Sequence, residues 1–140
     1  MADDTKGYVL DNQVGYLLRR ATQRHIGIFG QALPELTPTQ FAALAKICEL
    51  GAVSQNALGR ATAMDAATIK GVVDRLRDKG LIASTQDAND KRRLLLAASD
   101  EGRALYESLT ATALRISAET LEPLSEDERI AFVEMLARLG

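Results

Sequence analysis

The chemistry of this 140-residue chain is concentrated in one short polar run, Asp87-Ala88-Asn89-Asp90-Lys91-Arg92-Arg93. Three consecutive cations behind two carboxylates suit a turn tip that grips phosphate rather than a reacting centre. Upstream, Thr68, Lys70, Arg75 and Arg77 recur along the stretch from Asp65 to Gly80. Side chains of these types make charge-assisted hydrogen bonds to phosphate and polar contacts to base edges. The usual catalytic patterns are absent from the sequence. It has no Gly-rich phosphate loop, no Cys/His cluster and no Ser/His/Asp set, and His25 is its single histidine. We therefore expect a binding protein without cofactor or metal, not an enzyme.

The elements that must position these residues follow from cap and turn chemistry. Ser54 caps a short helix through Ala61, and Asp65 or Met64 opens a second that stops at Gly80. Leu81–Thr85 and Arg93–Ala97 read as two short strands around the basic turn. Ahead of them, Thr37-Pro38-Thr39-Gln40 is a capping box with proline at the first helical position. That helix carries Phe41, Leu44, Ile47 and Cys48 on its apolar side and ends at Gly51. A first helix spans about residues 9–32, with Leu10, Val14, Leu17, Leu18, Ala21, Ile28 and Phe29 near helical spacing. From Ser99 a long helix runs to about Thr120 and breaks at Glu122-Pro123. Ser125-Glu126-Asp127-Glu128 then caps a last helix striped by Phe132, Met135, Leu136 and Leu139.

Charge is partitioned along the chain. Residues 54–93 hold eight Lys/Arg and five Asp, a local +3, within a protein of net charge −2. The remainder is −5, so one face alone is suited to docking on phosphate. The first, fifth and sixth helices are amphipathic beyond what the middle unit can cover, which predicts a second subunit on their apolar faces.

These motifs carry a family resemblance. Leu58-Gly59-Arg60, the run Ala67-Thr68-Ile69-Lys70-Gly71-Val72-Val73-Asp74-Arg75-Leu76, Lys79-Gly80-Leu81-Ile82, the basic turn and Ser99-Asp100-Glu101-Gly102 resemble the MarR family of bacterial transcriptional regulators. That family's wing usually reads Asp-Pro-x-Asp-x-Arg; here Ala88 stands at the proline, while Asp90 and Arg92 keep the acid and the arginine. The resemblance covers about residues 10–140. It implies a mainly α fold with a small β-hairpin, a winged helix-turn-helix with long N- and C-terminal dimerisation helices. It also implies an obligate homodimer on a double-stranded operator and repression relieved by a small ligand. We expect one domain over 1–140, with a DNA-binding lobe at 37–98 and dimerisation helices at 9–33 and 99–140.

Roles follow from side-chain chemistry. Ala66, Ala67, Thr68 and Lys70 occupy the end of the fourth helix that enters a major groove, where small alanines allow close approach and contact with a thymine methyl. Gln55 and Asn56 suit phosphate, helped by unpaired backbone N–H groups. Arg92 has the reach for a narrow minor groove, flanked by Asn89, Lys91 and Arg93 on the backbone, and Arg75 is a further DNA candidate with a competing structural role. A salt bridge from Asp90 to Arg92 or Arg75 would aim the wing.

The effector candidates are Tyr16, Arg19, Arg20, His25, Phe29 and Tyr106. An arginine can hold a carboxylate bidentately while the histidine adds a hydrogen bond and the aromatics line an apolar slot. Some MarR-type regulators of aromatic-acid breakdown resemble this chain in having Arg and His six apart on the first helix, as Arg19 and His25 are here. That similarity points to an aromatic carboxylate or its coenzyme A thioester. The alternative is a redox trigger at Cys48, the only cysteine, although the family's oxidant sensors carry theirs in the first helix. The polar start Met1–Lys6 is not that of a signal peptide, no apolar run reaches a membrane span, and one cysteine fits a reducing cytoplasm.

Overall fold

A computed structural model describes residues 7–140; the polar start, Met1–Lys6, lies outside them. Contacts divide the chain into two compact units. One takes the chain up to Ala32 together with Ala113–Gly140; the other takes Leu33–Thr112. The fold is mainly α-helical with one small antiparallel hairpin and long helices towards both ends.

In the Leu33–Thr112 unit, α2 (Pro38–Leu50), α3 (Gln55–Ala61) and α4 (Ala66–Asp78) pack on one another and on the hairpin of β1 (Ile82–Gln86) and β2 (Leu94–Ala98). Each helix start is fixed by local chemistry. The Thr37 hydroxyl accepts from Gln40 N while the Gln40 side chain accepts from Thr37 N, and Ser54 and Asp65 accept from Ala57 N and Thr68 N. The end of α4 is equally defined. Gly80, at φ +74°, donates to Arg77 O, and Leu81 N reaches back to Leu76 O at 3.0 Å, closing the helix in a left-handed cap. Leu44, Ile47, Leu58, Ile69, Val73 and Leu76 are fully buried, each worth about 1.5–3 kcal/mol of hydrophobic burial.

The strands begin one residue later than their residue types suggest, because Leu81 is spent on the α4 cap. They pair in register from Ile82 with Ala98 to Gln86 with Leu94. Val53 adds an isolated bridge on β2: its N–H donates to Leu96 O at 3.0 Å and its carbonyl accepts from Leu96 N at 2.7 Å. This pairing ties the wing strand to the residue just before the α3 cap.

The other unit holds α1 (Val14–Ala32), the end of α5 (Asp100–Thr120) and α6 (Glu126–Leu139). The first helix starts later than its apolar spacing suggests. Leu10–Asn12 is a separate 3₁₀ turn, and Gln13 is extended, with its side chain returned to Val9 O at 3.0 Å. Ser125 and Glu128 form the capping box that opens α6. Arg24 donates to the carbonyls of Glu119 and Thr120 at the end of α5, where the regular helical pairing stops. Val14, Leu17, Leu18, Val133, Met135, Leu136 and Leu139 are exposed. No helix of the described residues is long and apolar enough to cross a membrane.

Candidate nucleic-acid interface

The first two turns of α4 form an exposed, nearly bare face. Ala66, Ala67, Thr68 and Lys70 all face solvent, while Ile69 between them is buried. Asp65 caps this turn by accepting from Thr68 N at 2.7 Å, a bond that holds its carboxyl below the usual aspartate range. Lys70 Nζ lies 2.9 Å from Asp74 Oδ2, and that contact lowers the Asp74 carboxyl in turn. Arg75 folds back on its own helix, donating to Gly71 O at 3.3 Å.

The wing tip is built from two aspartate-capped turns. Asp87 Oδ1 accepts from Asn89 N at 2.9 Å, and Asp90 Oδ1 accepts from Arg92 N at 3.0 Å. The Asp90 carboxylate also meets Arg92 Nε at 3.4 Å, so Asp90 pairs with Arg92 and not with Arg75. That contact leaves the fork of the guanidinium outward, on a side chain 94% exposed. Asn89, Lys91 and Arg93 are exposed beside it.

Gln55, Asn56, Arg92 and Arg93 converge on one open cleft of about 320 Å³. Three further polar residues also line it: Ser54, read from the sequence only as a helix cap, Arg77, noted there only among the recurring polar side chains, and Ser84. Arg93 donates to Ser54 Oγ at 3.3 Å and Arg77 to Ser84 Oγ at 2.8 Å. Both contacts join separate elements, so no spacing in the sequence announces them.

The effector candidates are divided between the two units. Arg20 lies over the Tyr16 ring at 5.9 Å. His25 Nδ1 is 2.9 Å from Thr120 Oγ1, and its ring meets Phe29 edge-on at 6.2 Å. Phe29 is buried. His25 also lines a mostly apolar cleft of about 350 Å³ with Leu18, Thr22, Leu121 and Phe132; Tyr16, Arg19 and Arg20 are not among its walls. Tyr106 belongs to the other unit, where it packs at 5.9 Å against Phe41. Cys48 is half-buried. Burial pushes its thiol up, with Glu107 adding to the rise and Arg103 only partly opposing it, and a protonated thiol is a poor target for oxidants. Among the described residues no three His, Cys, Asp or Glu side chains are grouped to hold a metal ion.

Residues 36–94 match the model of the MarR family. Across 97% of this chain and 87% of its own length, the HTH-type transcriptional repressor NicR of Pseudomonas putida is 37% identical. The chain belongs to the MarR family. Solved structures of similar chains agree along nearly the whole length. A probable transcriptional regulator from Pseudomonas aeruginosa is 49% identical at a TM-score of 0.92, covering 94% of this chain and 100% of that one. Bordetella bronchiseptica BpsR, whose DNA binding is regulated by 6-hydroxynicotinic acid, is 40% identical at a TM-score of 0.90, covering 94% and 96%. The protein is a MarR-type DNA-binding transcriptional regulator, a function that involves no catalysis.

Proposed function

We propose that this MarR-family protein acts in the cytoplasm as a homodimeric repressor whose operator is released by a small aromatic acid. The carrying observation is the solvent-facing start of α4 beside a wing of exposed cations, within one compact unit. Ala66, Ala67, Thr68 and Lys70 read the major groove, and Arg92 lies in the flanking minor groove with Asp90 orienting it. Gln55, Asn56, Asn89, Lys91 and Arg93 hold phosphates. Arg75, folded back on Gly71 O along the exposed side of α4, braces the helix. The reading lobe is 37–98, and the dimer forms through 9–33 and 99–140.

The exposed apolar groups of α1 and α6 support that dimer. Val14, Leu17, Met135 and Leu139 line a cleft of about 430 Å³ with almost no polar lining, suited to a helix of a second copy. The effector proposal draws on BpsR, whose DNA binding responds to 6-hydroxynicotinic acid. In this chain Arg19 or Arg20 would supply the guanidinium and His25 a ring nitrogen. A coupling of about 1–3 kcal/mol is enough to loosen DNA by one to two orders of magnitude.

Fluorescence anisotropy on a duplex selected by the protein from a random pool tests the reading. Lys70→Ala and Arg92→Ala each weaken binding about tenfold while the dimer mass stays constant. Unchanged affinity in both variants rejects the assigned interface. Addition of 6-hydroxynicotinic acid releases the duplex; benzoate and an aromatic coenzyme A thioester, tested alongside, show which features of the ligand release requires.

A further inference from the structure

We propose that Arg77, with Arg93 beside it, forms a seat for one phosphodiester of the DNA backbone. The proposal rests on the DNA-binding reading above and adds a residue that reading does not use.

The Arg77 guanidinium is held at two corners. Nη1 stands 3.5 Å from Asp74 Oδ1 on its own helix, and Nη2 donates to Ser84 Oγ on β1 at 2.8 Å. A guanidinium carries five N–H donors. Two such contacts fix its plane and leave the remaining donors for an anion. Arg93 is aimed in the same way, through a neutral hydroxyl, by Ser54. Hydroxyls orient a cation without neutralising it, and no carboxylate is among the residues that line the cleft. Two carboxylates stand just behind its cations: Asp74, 3.5 Å from Arg77 and shared with Lys70 at 2.9 Å, and Asp90, 3.4 Å from Arg92. Leu94 and Leu96 complete the wall, and apolar surface beside the guanidinia strengthens their pull on a charge.

The geometry favours a backbone phosphate over a free anion. The cleft is open, and it shares Arg92 and Arg93 with the wing that lies along the duplex. Once α4 and the wing engage, a phosphodiester arrives at the seat as part of the same binding event. A free anion must instead lose its own translational freedom to occupy an unenclosed site.

The test measures duplex affinity of the full-length dimer across a salt series for wild type, Arg77→Ala and Arg77→Lys. Each phosphate neutralised contributes about 0.9 to the slope of log K against log salt. Two seats per dimer therefore make the Arg77→Ala slope shallower by about 2. Its affinity falls about tenfold on selected and unrelated duplexes alike, as for other phosphate contacts. Arg77→Lys restores the slope but not the full affinity, since a point charge replaces a planar fork. In a methylphosphonate scan of the selected duplex, one position per half-site weakens wild type and leaves Arg77→Ala unchanged. An unaltered slope in Arg77→Ala overturns the proposal, as does a loss confined to the selected sequence. Saturable binding of inorganic phosphate that disappears in Arg77→Ala, with the duplex slope intact, assigns the seat to a free anion and also overturns it. Failure of wild type to bind any duplex removes the DNA-binding reading itself.

Discussion

Lys70 Nζ and Asp74 Oδ2 stand 2.9 Å apart, one helical turn from each other on the outer face of α4. A cation suited to DNA thus rests on a carboxylate that DNA would repel. In the free protein Asp74 keeps Lys70 ordered; on a duplex the carboxylate becomes the penalty for poor alignment.

Replacing Asp74 with Asn therefore raises affinity for unrelated duplexes about three- to tenfold and narrows the gap between selected and unrelated sequences. Paired anisotropy titrations at one salt concentration check this. A larger gain on unrelated than on selected DNA fits it; equal gains on both, or no gain on unrelated DNA, count against it.

Asp65, Asp74 and Glu128 share a pH signature, since hydrogen bonds or neighbouring cations lower all three carboxyls in the folded chain. A lowered folded value means that the unfolded chain takes up protons first as pH falls. Their stabilisation is complete above the unfolded values, about 3.9 for Asp and 4.3 for Glu, and is lost as pH drops through the lower folded values. Thermal melts from pH 6 to pH 3 will show Tm falling chiefly below about pH 4. In Asp65→Asn, which keeps an acceptor oxygen at the cap, that decline is smaller.

Gly102 is buried against the Leu81 carbonyl, and any Cβ there would collide with it. The junction is drawn tight by Ser99, whose hydroxyl donates to Gly80 O at 2.7 Å and accepts from Gly102 N at 3.0 Å. Gly102→Ala will cost about 3 kcal/mol, and denaturant unfolding measures it directly.

Ala63, in the turn before α4, is the one non-glycine residue with positive φ among those described, at +56°. Ala63→Gly removes a left-handed strain of about 1–2 kcal/mol, offset in part by a freer unfolded chain. A net gain of about 0.5–1 kcal/mol is expected in the same unfolding experiment.

If 6-hydroxynicotinic acid is the effector as proposed, Arg19→Ala will leave duplex affinity within about twofold and raise several-fold the concentration needed for release. His25→Ala does the same, because a lost hydrogen bond weakens the ligand rather than the reading surface. Release at wild-type concentrations in both variants would remove them from the effector site.

What could be read from the sequence is what depends on near neighbours in the chain. Thr37 with Gln40, Ser54 with Ala57, Asp65 with Thr68 and Ser125 with Glu128 each close a cap within three residues, so the pattern is written locally. The wing tip was legible for the same reason, since Asp87 and Asp90 each bond two residues ahead. The start of α1 was not, because apolar spacing runs on through Leu10 while the extended Gln13 breaks the helix. Nor were Arg77 with Ser84, Arg93 with Ser54, or Val53 with Leu96, which exist only once separate elements have packed. Legibility fails where partners meet through tertiary structure.

The Val53–Leu96 pairing makes the wing a lever with its fulcrum at the foot of α3. Pivoting of β2 pulls on the chain that enters the reading helices, so strand and helices shift in concert. The tip from Ala88 to Arg92 carries no such tether and can change sequence without disturbing the hinge, while Arg93 adds a second tie to Ser54. If the wing reads the flanking groove as proposed, its preference there is free to drift independently of the helices that fill the main groove.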